Sequence, residues 1–466
     1  MKHTSILSRR AFLRHVLAAG SASLLPLALF RATTAVRAQA DSQVIVIGAG
    51  VAGLAAASYL QESGYGVLVL EARNRVGGRV WTNRTLDNIP LDLGASWIHG
   101  IEDNPLTELA DEASVERIKT DYDSIAVFDS QGKAWDDVTY AATEANFEAL
   151  LERLLALAEE LDDDISLGAA LERVLPEFNL TDADLKRLHY SFNTTIEHEF
   201  AADVSALSLF YWDESDAFDG GDVIFPGGYD WLTTMLMADL DIRLEQVVEK
   251  IEYDATGVSI MTDKETFAAD YAIVTIPHGV LKSGSITFDP PLPKNKQAAI
   301  QNLHTGVLNK CYLQFPEAFW GDETDLLGYV SDAKGQWSEC LNLYKYLGLP
   351  ILLCFNAGEF GETIEGWTDE AIVASAMTML KTIYGETIPQ PTGWLITRWK
   401  SDPFARGSYS SMGVNASLDA IAALAETVQD VLFFAGEATS AEYPGTVHGA
   451  LLSGWRAVDD LMAVDS

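Results

Sequence analysis

A chain that runs an apolar strand into closely spaced glycines, and then into an alanine-rich helix, has few folds open to it. Residues 43–81 read QVIVIGAGVAGLAAASYLQESGYGVLVLEARNRVGGRVW. Val44 to Ile47 is a short apolar run suited to a buried parallel strand. Gly48, Gly50 and Gly53 follow at GxGxxG spacing, and Ala52 sits among them at the start of the helix. The first glycine permits a tight turn, the second lets backbone approach a pyrophosphate, and the third lets helix and strand pack closely. The helix N-terminus offers N–H groups and positive dipole to phosphate. A second strand, Val67 to Leu70, ends at Glu71, the spacing at which a carboxylate grips a ribose hydroxyl. Glycines alone often mark an ordinary turn. Strand, helix, strand and acid in this order specify a dinucleotide site.

Beyond Glu71 the sequence continues as E-A-R-x-R-x-G-G-R, with Arg73, Gly77, Gly78 and Arg79. Paired arginines and glycines behind the ribose-binding acid suit a diphosphate that stays bound. The segment resembles the FAD site of the flavin amine oxidase family. That resemblance extends over about residues 43 to 462 and implies an α/β fold. In it a Rossmann-like FAD-binding domain is interwoven with a discontinuous α+β substrate-binding domain. The expected boundaries are 41–105, 220–290 and 410–466 for the first domain and 106–219 and 291–409 for the second.

Four further motifs carry the resemblance. In Leu91-Asp92-Leu93-Gly94-Ala95-Ser96-Trp97-Ile98-His99-Gly100, it places Gly94, Ala95 and Ser96 along the isoalloxazine and His99 beside the substrate. Animal polyamine oxidases carry His at this position and a plant enzyme carries Glu. In Gly306 to Phe315, Lys310 interrupts an otherwise mostly apolar strand, where a buried ammonium is costly without a partner. The family places a lysine here, bridged by water to flavin N5. A sheet-edge lysine facing solvent is the alternative. In Thr397 to Tyr409, Trp399 and Tyr409 are the aromatic candidates beside the reactive face of the flavin. In Phe433 to Ala457, Gly436 and Glu437 end a strand, with Glu437 expected on ribityl or ribose hydroxyls. Thr446 and Val447 open a helix aimed at the flavin N1/O2 edge. Val248 completes the cofactor set.

One departure stands out. Many amine oxidases place a second aromatic wall where this chain has Thr446, as the lysine-specific histone demethylases do. Tyr443 is the candidate replacement. Glu199 and Phe200 resemble substrate-tunnel residues of a plant polyamine oxidase, with Glu199 suited to a distal ammonium. The loop Gly436 to Gly445 has no cysteine, so the FAD is expected to be non-covalent. His and Cys show no metal-ligand spacing.

The N-terminus reads as a leader. Ser8-Arg9-Arg10-Ala11-Phe12-Leu13 matches the twin-arginine export pattern, an apolar stretch follows, and Ala38-Gln39-Ala40 is an A-x-A cleavage site. Residues 1–40 are therefore expected to be a signal peptide. The implied location is the periplasm, or an equivalent extracytoplasmic space, reached already folded through the twin-arginine machinery. The formal charge of −37 argues against nucleic acid as a partner and favours cationic ligands. Solubility in a salty environment explains the charge as well. Three cysteines, Cys311, Cys340 and Cys354, form no CxxC pair, and buried free thiols are the expected state.

Helices are expected over Leu150–Leu161, Leu167–Leu175, Ala371–Ile383 and Val447–Met462. Strands are expected at Leu308–Phe315, Leu326–Val330, Glu339–Tyr346 and Ile351–Phe355, and Asp219 to Gly228 as a loop. The function implied is FAD-dependent oxidation of a small cationic amine, a polyamine first. The products would be an aldehyde and a shorter amine, with O2 reduced to hydrogen peroxide. A monoamine or L-amino-acid oxidase, a chromatin-type flavoprotein and a dehydrogenase with another acceptor remain as alternatives.

Overall fold

The structure of the chain, a computed structural model, describes residues 42–465. The twin-arginine motif and the A-x-A site lie outside the described residues.

A five-stranded parallel sheet organises one lobe, in the order Leu432–Phe434, Tyr271–Val274, Gln43–Ile47, Gly66–Leu70 and Asp241–Arg243. Its strands come from three separated stretches of sequence. The central strand is buried on both faces, as its unbroken apolar run requires. Val44 and Val46 enter one core cluster, Ile45 and Ile47 the other. Helices Val51–Glu62 and Val447–Val464 pack together on one face. They approach closely because residue 454 is glycine; a Cβ there would lie 2.4 Å from the Ala52 carbonyl oxygen. A four-stranded sheet, ordered Thr266–Ala269, Gly257–Thr262, Val248–Asp254 and Thr287–Asp289, accompanies the core on the other face.

The second lobe is built on a six-stranded sheet. Its order is Gly393–Ile396, Leu308–Gln314, Ile351–Ala357, Glu339–Asn342, Leu326–Tyr329 and Ile125–Phe128. All pairs are antiparallel except the last. Alternation along Leu308–Gln314 divides the sheet faces. Cys311 and Leu313 join the cluster under helix Asp369–Tyr384. Tyr312 turns the other way, to Leu91 and Leu93. Helices Asp137–Glu160, Leu167–Val174 and Asp182–Phe192 form a satellite around their own core.

Local chemistry explains where the elements differ from expectation. The first satellite helix starts well before Leu150, because Asp136 accepts the Thr139 N–H at 2.9 Å and caps it. Helix Asp182–Phe192, not foreseen, starts at a capping box between Thr181 and Asp184. The strand expected over Glu339–Tyr346 stops at Asn342, whose side chain accepts from Tyr344 N at 3.2 Å and opens a short helix, Leu343–Leu347. The Asp219 to Gly228 loop contains a strand, Val223–Ile224, between Trp97–Ile98 and Ile118–Lys119.

The cysteines correct the expectation of three free thiols. Cys340 and Cys354 are register partners on adjacent strands and are disulfide-bonded, with Cα atoms 3.9 Å apart. Cys311 is free and buried. Sequence spacing carries no information on strand register, and register made this bond. The bond closes a separation of 14 residues, for which loop-closure entropy gives about 3 kcal/mol. The double substitution Cys340→Ala/Cys354→Ala is expected to lower unfolding free energy by about 2–4 kcal/mol, measured by urea denaturation. An unchanged midpoint would mean the bond contributes no net stability.

Candidate active site

A cavity of about 730 Å³ runs between the two lobes. At one end is the glycine turn. Gly48 has φ +107° and its absent Cβ would lie 2.6 Å from Thr275 Oγ1. Gly53 faces backbone instead: a Cβ there would sit 1.9 Å from the Gly48 carbonyl oxygen, so it packs helix on strand behind the wall and does not line the cavity. Gly50 lines the cavity with nothing within 4 Å of a built Cβ. It also precedes helix Val51–Glu62, which has no side-chain cap and no acid in its first turn. The positive end of that helix is thus left for an anion.

Glu71 holds this turn in shape. Its carboxylate accepts the N–H groups of Ala49 and Arg73, both at 2.8 Å. Burial pushes its pKa up, against those two bonds and the nearby arginines. Arg73 behaves differently from expectation. Its guanidinium makes two bonds to Asp402, at 2.7 and 2.8 Å, and so ties the lobes together at the cavity wall. Arg79 donates from Nη1 to Glu437 Oε1 and to Ser408 O, both at 2.8 Å. Both bonds use one nitrogen, so the rest of the fork stays available to a phosphate.

Glu437 is more committed than the sequence indicated. Besides Arg79 it accepts from Ser410 Oγ at 2.5 Å and Gly445 N at 2.9 Å. Burial alone would push its pKa up; Arg79, Ser410 and Gly445 outweigh this and hold the carboxyl below its ordinary range. It fixes the wall before it meets any ligand hydroxyl. Gly436, with φ +128° and no atom within 4 Å of a built Cβ, leaves a second open cradle. Thr446 caps helix Val447–Val464 by accepting from Gly449 N at 2.9 Å. Thr446, Val447, Ala52, Gly78 and Val248 all line the cavity. The open glycines, the uncapped helix end and a buried acid at the strand tip fit FAD.

The middle of the cavity is formed by Gly94, Ala95 and Ser96 on one side and Lys310 on the other. Gly94 is obligatory, since a Cβ there would be 1.7 Å from the Arg79 carbonyl oxygen. Lys310 does not face solvent. Its Nζ donates to Asp92 O (2.8 Å), Gly94 O (2.6 Å) and Ser96 Oγ (2.5 Å). Burial lowers its pKa to about 7, opposed by the charge of Asp92. Trp399 is anchored through Nε1 to Leu93 O at 3.3 Å and meets Trp81 edge-on. Tyr409 donates to the His198 carbonyl at 2.6 Å. His99 Nδ1 lies 2.8 Å from Asp222 Oδ2, and its ring stacks on Trp97.

Trp97, His198 and Phe355 also line this region; Phe355 lies 6.0 Å from each of the other two rings. Trp97 sits inside a recognised motif and period-2 alternation could have found Phe355; nothing local marks His198 or Asp222. Tyr443 does not become the missing aromatic wall. It stacks on Phe218 at 4.8 Å and abuts His448 edge-on, outside the cavity lining.

The far end is acidic. Glu199 and Phe200 line it, joined by Asp213, Glu214 and Asp216. Phe200 meets Trp212 edge-on at 5.6 Å. Burial, then Glu199 and Glu214, push Asp213 up to about 7. This end follows a π turn, Asn193–Glu197, an irregularity common at functional sites. The turn is held by Lys334, which bridges Glu197 at 2.7 Å and Asp203 at 2.8 Å.

Residues 51–462 match the family described as flavin containing amine oxidoreductase. Polyamine oxidase 2 of Arabidopsis thaliana is 38% identical over 432 residues, covering 90% of this chain and 87% of that protein. Lysine-specific histone demethylase 1 homolog 2 of the same plant is 37% identical over 439 residues, covering 91% of this chain but 59% of that protein. Among solved structures, wild-type putrescine oxidase bound to putrescine superposes with a TM-score of 0.73 at 21% identity, over 91% of this chain and 100% of that one. That last likeness speaks to the fold, which is that of the amine oxidases. A dinucleotide cradle that opens onto a lysine and an aromatic wall, within a sequence alike over nine-tenths of its length, makes the chain a member of the flavin-containing amine oxidoreductases, an FAD-dependent amine oxidase.

Proposed function

We propose that the substrate is a polyamine, oxidised at a carbon next to a secondary nitrogen. FAD, held without a covalent bond, would supply the chemistry by accepting a hydride equivalent, one proton with two electrons, from that carbon. The amine becomes an imine; water adds to it and releases an aldehyde and a shorter amine. The two electrons, with the proton from carbon and the one lost from nitrogen, would pass on to O2, which leaves as hydrogen peroxide.

The observation that carries this reading is the acidic end of the cavity. Glu199, Asp213, Glu214 and Asp216 face a region walled by Phe200 and Trp212. A second ammonium of an extended amine would find opposite charge and aromatic faces there, while the reacting nitrogen lies between Trp399, Tyr409 and His99. A ligand cation would also favour the ionised form of Asp213. Lys310 assists proton movement and water placement on the Gly94–Ser96 side. The relatives named polyamine oxidases support this choice. Those named histone demethylases favour a second reading, in which the amine is borne on a peptide side chain.

The leader motif at Ser8 to Leu13 supports export by the twin-arginine route to an extracytoplasmic space. The Cys340–Cys354 bond agrees with an oxidising compartment.

Three tests follow from these assignments. Lys310→Met is expected to slow turnover with O2 at least tenfold, about 1.4 kcal/mol, with FAD still bound; unchanged stopped-flow kinetics would remove the role. Asp213→Asn is expected to raise KM about tenfold for a tri- or tetra-amine and little for a short monoamine, read by peroxide release across a panel that includes a methyl-lysine peptide. Equal effects on all amines would refute a distal ammonium subsite. Replacing Arg9 and Arg10 by Lys is expected to leave the protein in the cytoplasmic fraction; export at the normal level would exclude this route.

A further inference from the structure

Asp92 does not line the cavity. It is buried, 7% exposed, directly behind Lys310. Two short strands, Thr82–Asn83 and Leu91–Asp92, set it opposite Thr82. Its carboxylate accepts from Thr82 Oγ1 at 2.5 Å and from Tyr229 N at 3.0 Å. Its main-chain oxygen accepts from Lys310 Nζ at 2.8 Å and Tyr312 OH at 2.7 Å. The same residue thus meets the lysine twice, its carbonyl accepting a hydrogen bond from Nζ and its side chain acting through its charge.

Among the ionisable neighbours of Lys310, Asp92 supplies the opposing charge; the face of Trp97, 5.7 Å from Nζ, favours the ammonium as well. Tyr229 and Tyr312 are buried phenols, held protonated first by that burial and then by Asp92 itself. Asp230 and Arg84 lie beyond Asp92 and pair with each other at 2.6 Å. Asp230 pushes the Asp92 carboxyl up, as burial does; Thr82, Tyr229 N and Lys310 pull it down. Around Lys310, burial favours the neutral amine and the charge of Asp92 opposes it. The acceptors fit the charged form. An ammonium has three N–H donors, and Asp92 O, Gly94 O and Ser96 Oγ are three acceptors. The donors around Asp92, Thr82 Oγ1 and Tyr229 N, likewise fit its ionised carboxylate.

We propose that Asp92 is the positioning residue of Lys310: its carbonyl fixes where the nitrogen sits, and its carboxylate, buried on the same residue, is the counter-charge that favours the ammonium form of that nitrogen. The inference rests on the reading of Lys310 as the lysine that serves the cofactor. It makes the loop Leu91 to Ser96 a two-sided element. One end faces the cofactor, and the other sets the protonation of the group that works there.

The test reads the lysine directly. Protein labelled with 13Cε-lysine and loaded with FAD is titrated by NMR, and the Lys310 signal is identified by its absence in Lys310→Met. In Asp92→Asn the Lys310 midpoint is expected to fall by at least one pH unit, a tenfold change in proton affinity, with FAD content retained. Asp92→Glu is expected to recover at least half of that shift. Thr82→Val, outside the cavity, removes one donor from the carboxylate and is expected to lower the midpoint by a smaller amount; it decides the matter if Asp92→Asn does not fold. A midpoint unmoved in the variant that folds overturns the proposal. The kinetics of Lys310→Met separate the two claims: normal turnover there would sink the role of the lysine, while the titration alone judges Asp92.

Discussion

The structure depends on an ion pair whose carboxylate is buried. Arg79 follows the glycine turn, Glu437 follows the last strand of the parallel sheet, and their contact at 2.8 Å closes the wall between the ends of the chain. An isolated carboxylate at this depth would cost several kcal/mol. Arg79, the Ser410 hydroxyl and the Gly445 N–H offset that cost together, and the depressed pKa is their joint signature. A carboxyl held below its unfolded value contributes fully above that value and loses its contribution as pH falls through the folded one. The lock is therefore complete at neutral pH. The same pair positions Ser408 and Ser410, and through them the residue between, Tyr409. The substrate side inherits its geometry from a contact on the cofactor side.

Much of this was legible because it is local. Gly48, Gly50, Gly53 and Glu71 lie within one strand–helix–strand unit, and each has a role that follows from distances of a few residues. Lys310 was legible for a different reason: a charge in an apolar strand violates the pattern, and such violations concentrate at functional sites. Arg73 shows the limit. Its place behind Glu71 was readable, but its partner is Asp402, more than three hundred residues away, and only the tertiary fold reveals whether an arginine meets ligand or protein. Tyr443 fails in the same way, since the choice between cavity and Phe218 depends on a loop path that no periodicity encodes. The disulfide, Asp213 and the role of Asp92 all depend on register or on burial between distant segments.

The two lobes divide the electrostatic work. Around the phosphate turn the charges are neutralised by protein: Arg73 by Asp402, Arg79 in part by Glu437. At the far end Glu199, Asp213, Glu214 and Asp216 share a wall, and burial together with mutual repulsion holds Asp213 near neutrality. Like charges placed together in a cavity store unfavourable energy that a cation relieves. Such a site is destabilising when empty and selective when filled. Function drawn at a cost to stability is the usual reason for such an arrangement.

A buried lysine is not by itself a catalytic group, and this chain contains the control. Lys296 is as deeply buried as Lys310, and its pKa is likewise lowered to about 7 by burial. Its Nζ donates to the carbonyls of Ala423 and Leu424 at 2.9 and 2.7 Å and lies 3.9 Å from the centre of the Phe434 ring. Those carbonyls end helix Leu418–Ala425, so Lys296 serves as a helix cap with a cation–π contact. Nothing about it opens onto the cavity. Lys310 has a similar shift but holds the loop that carries Gly94 and Ser96, and it does line the cavity. The shifted proton affinity is common to both residues, and so is a carboxylate that opposes it, Glu426 for Lys296 and Asp92 for Lys310; the open volume beside Lys310 is what separates a catalytic candidate from a structural cation.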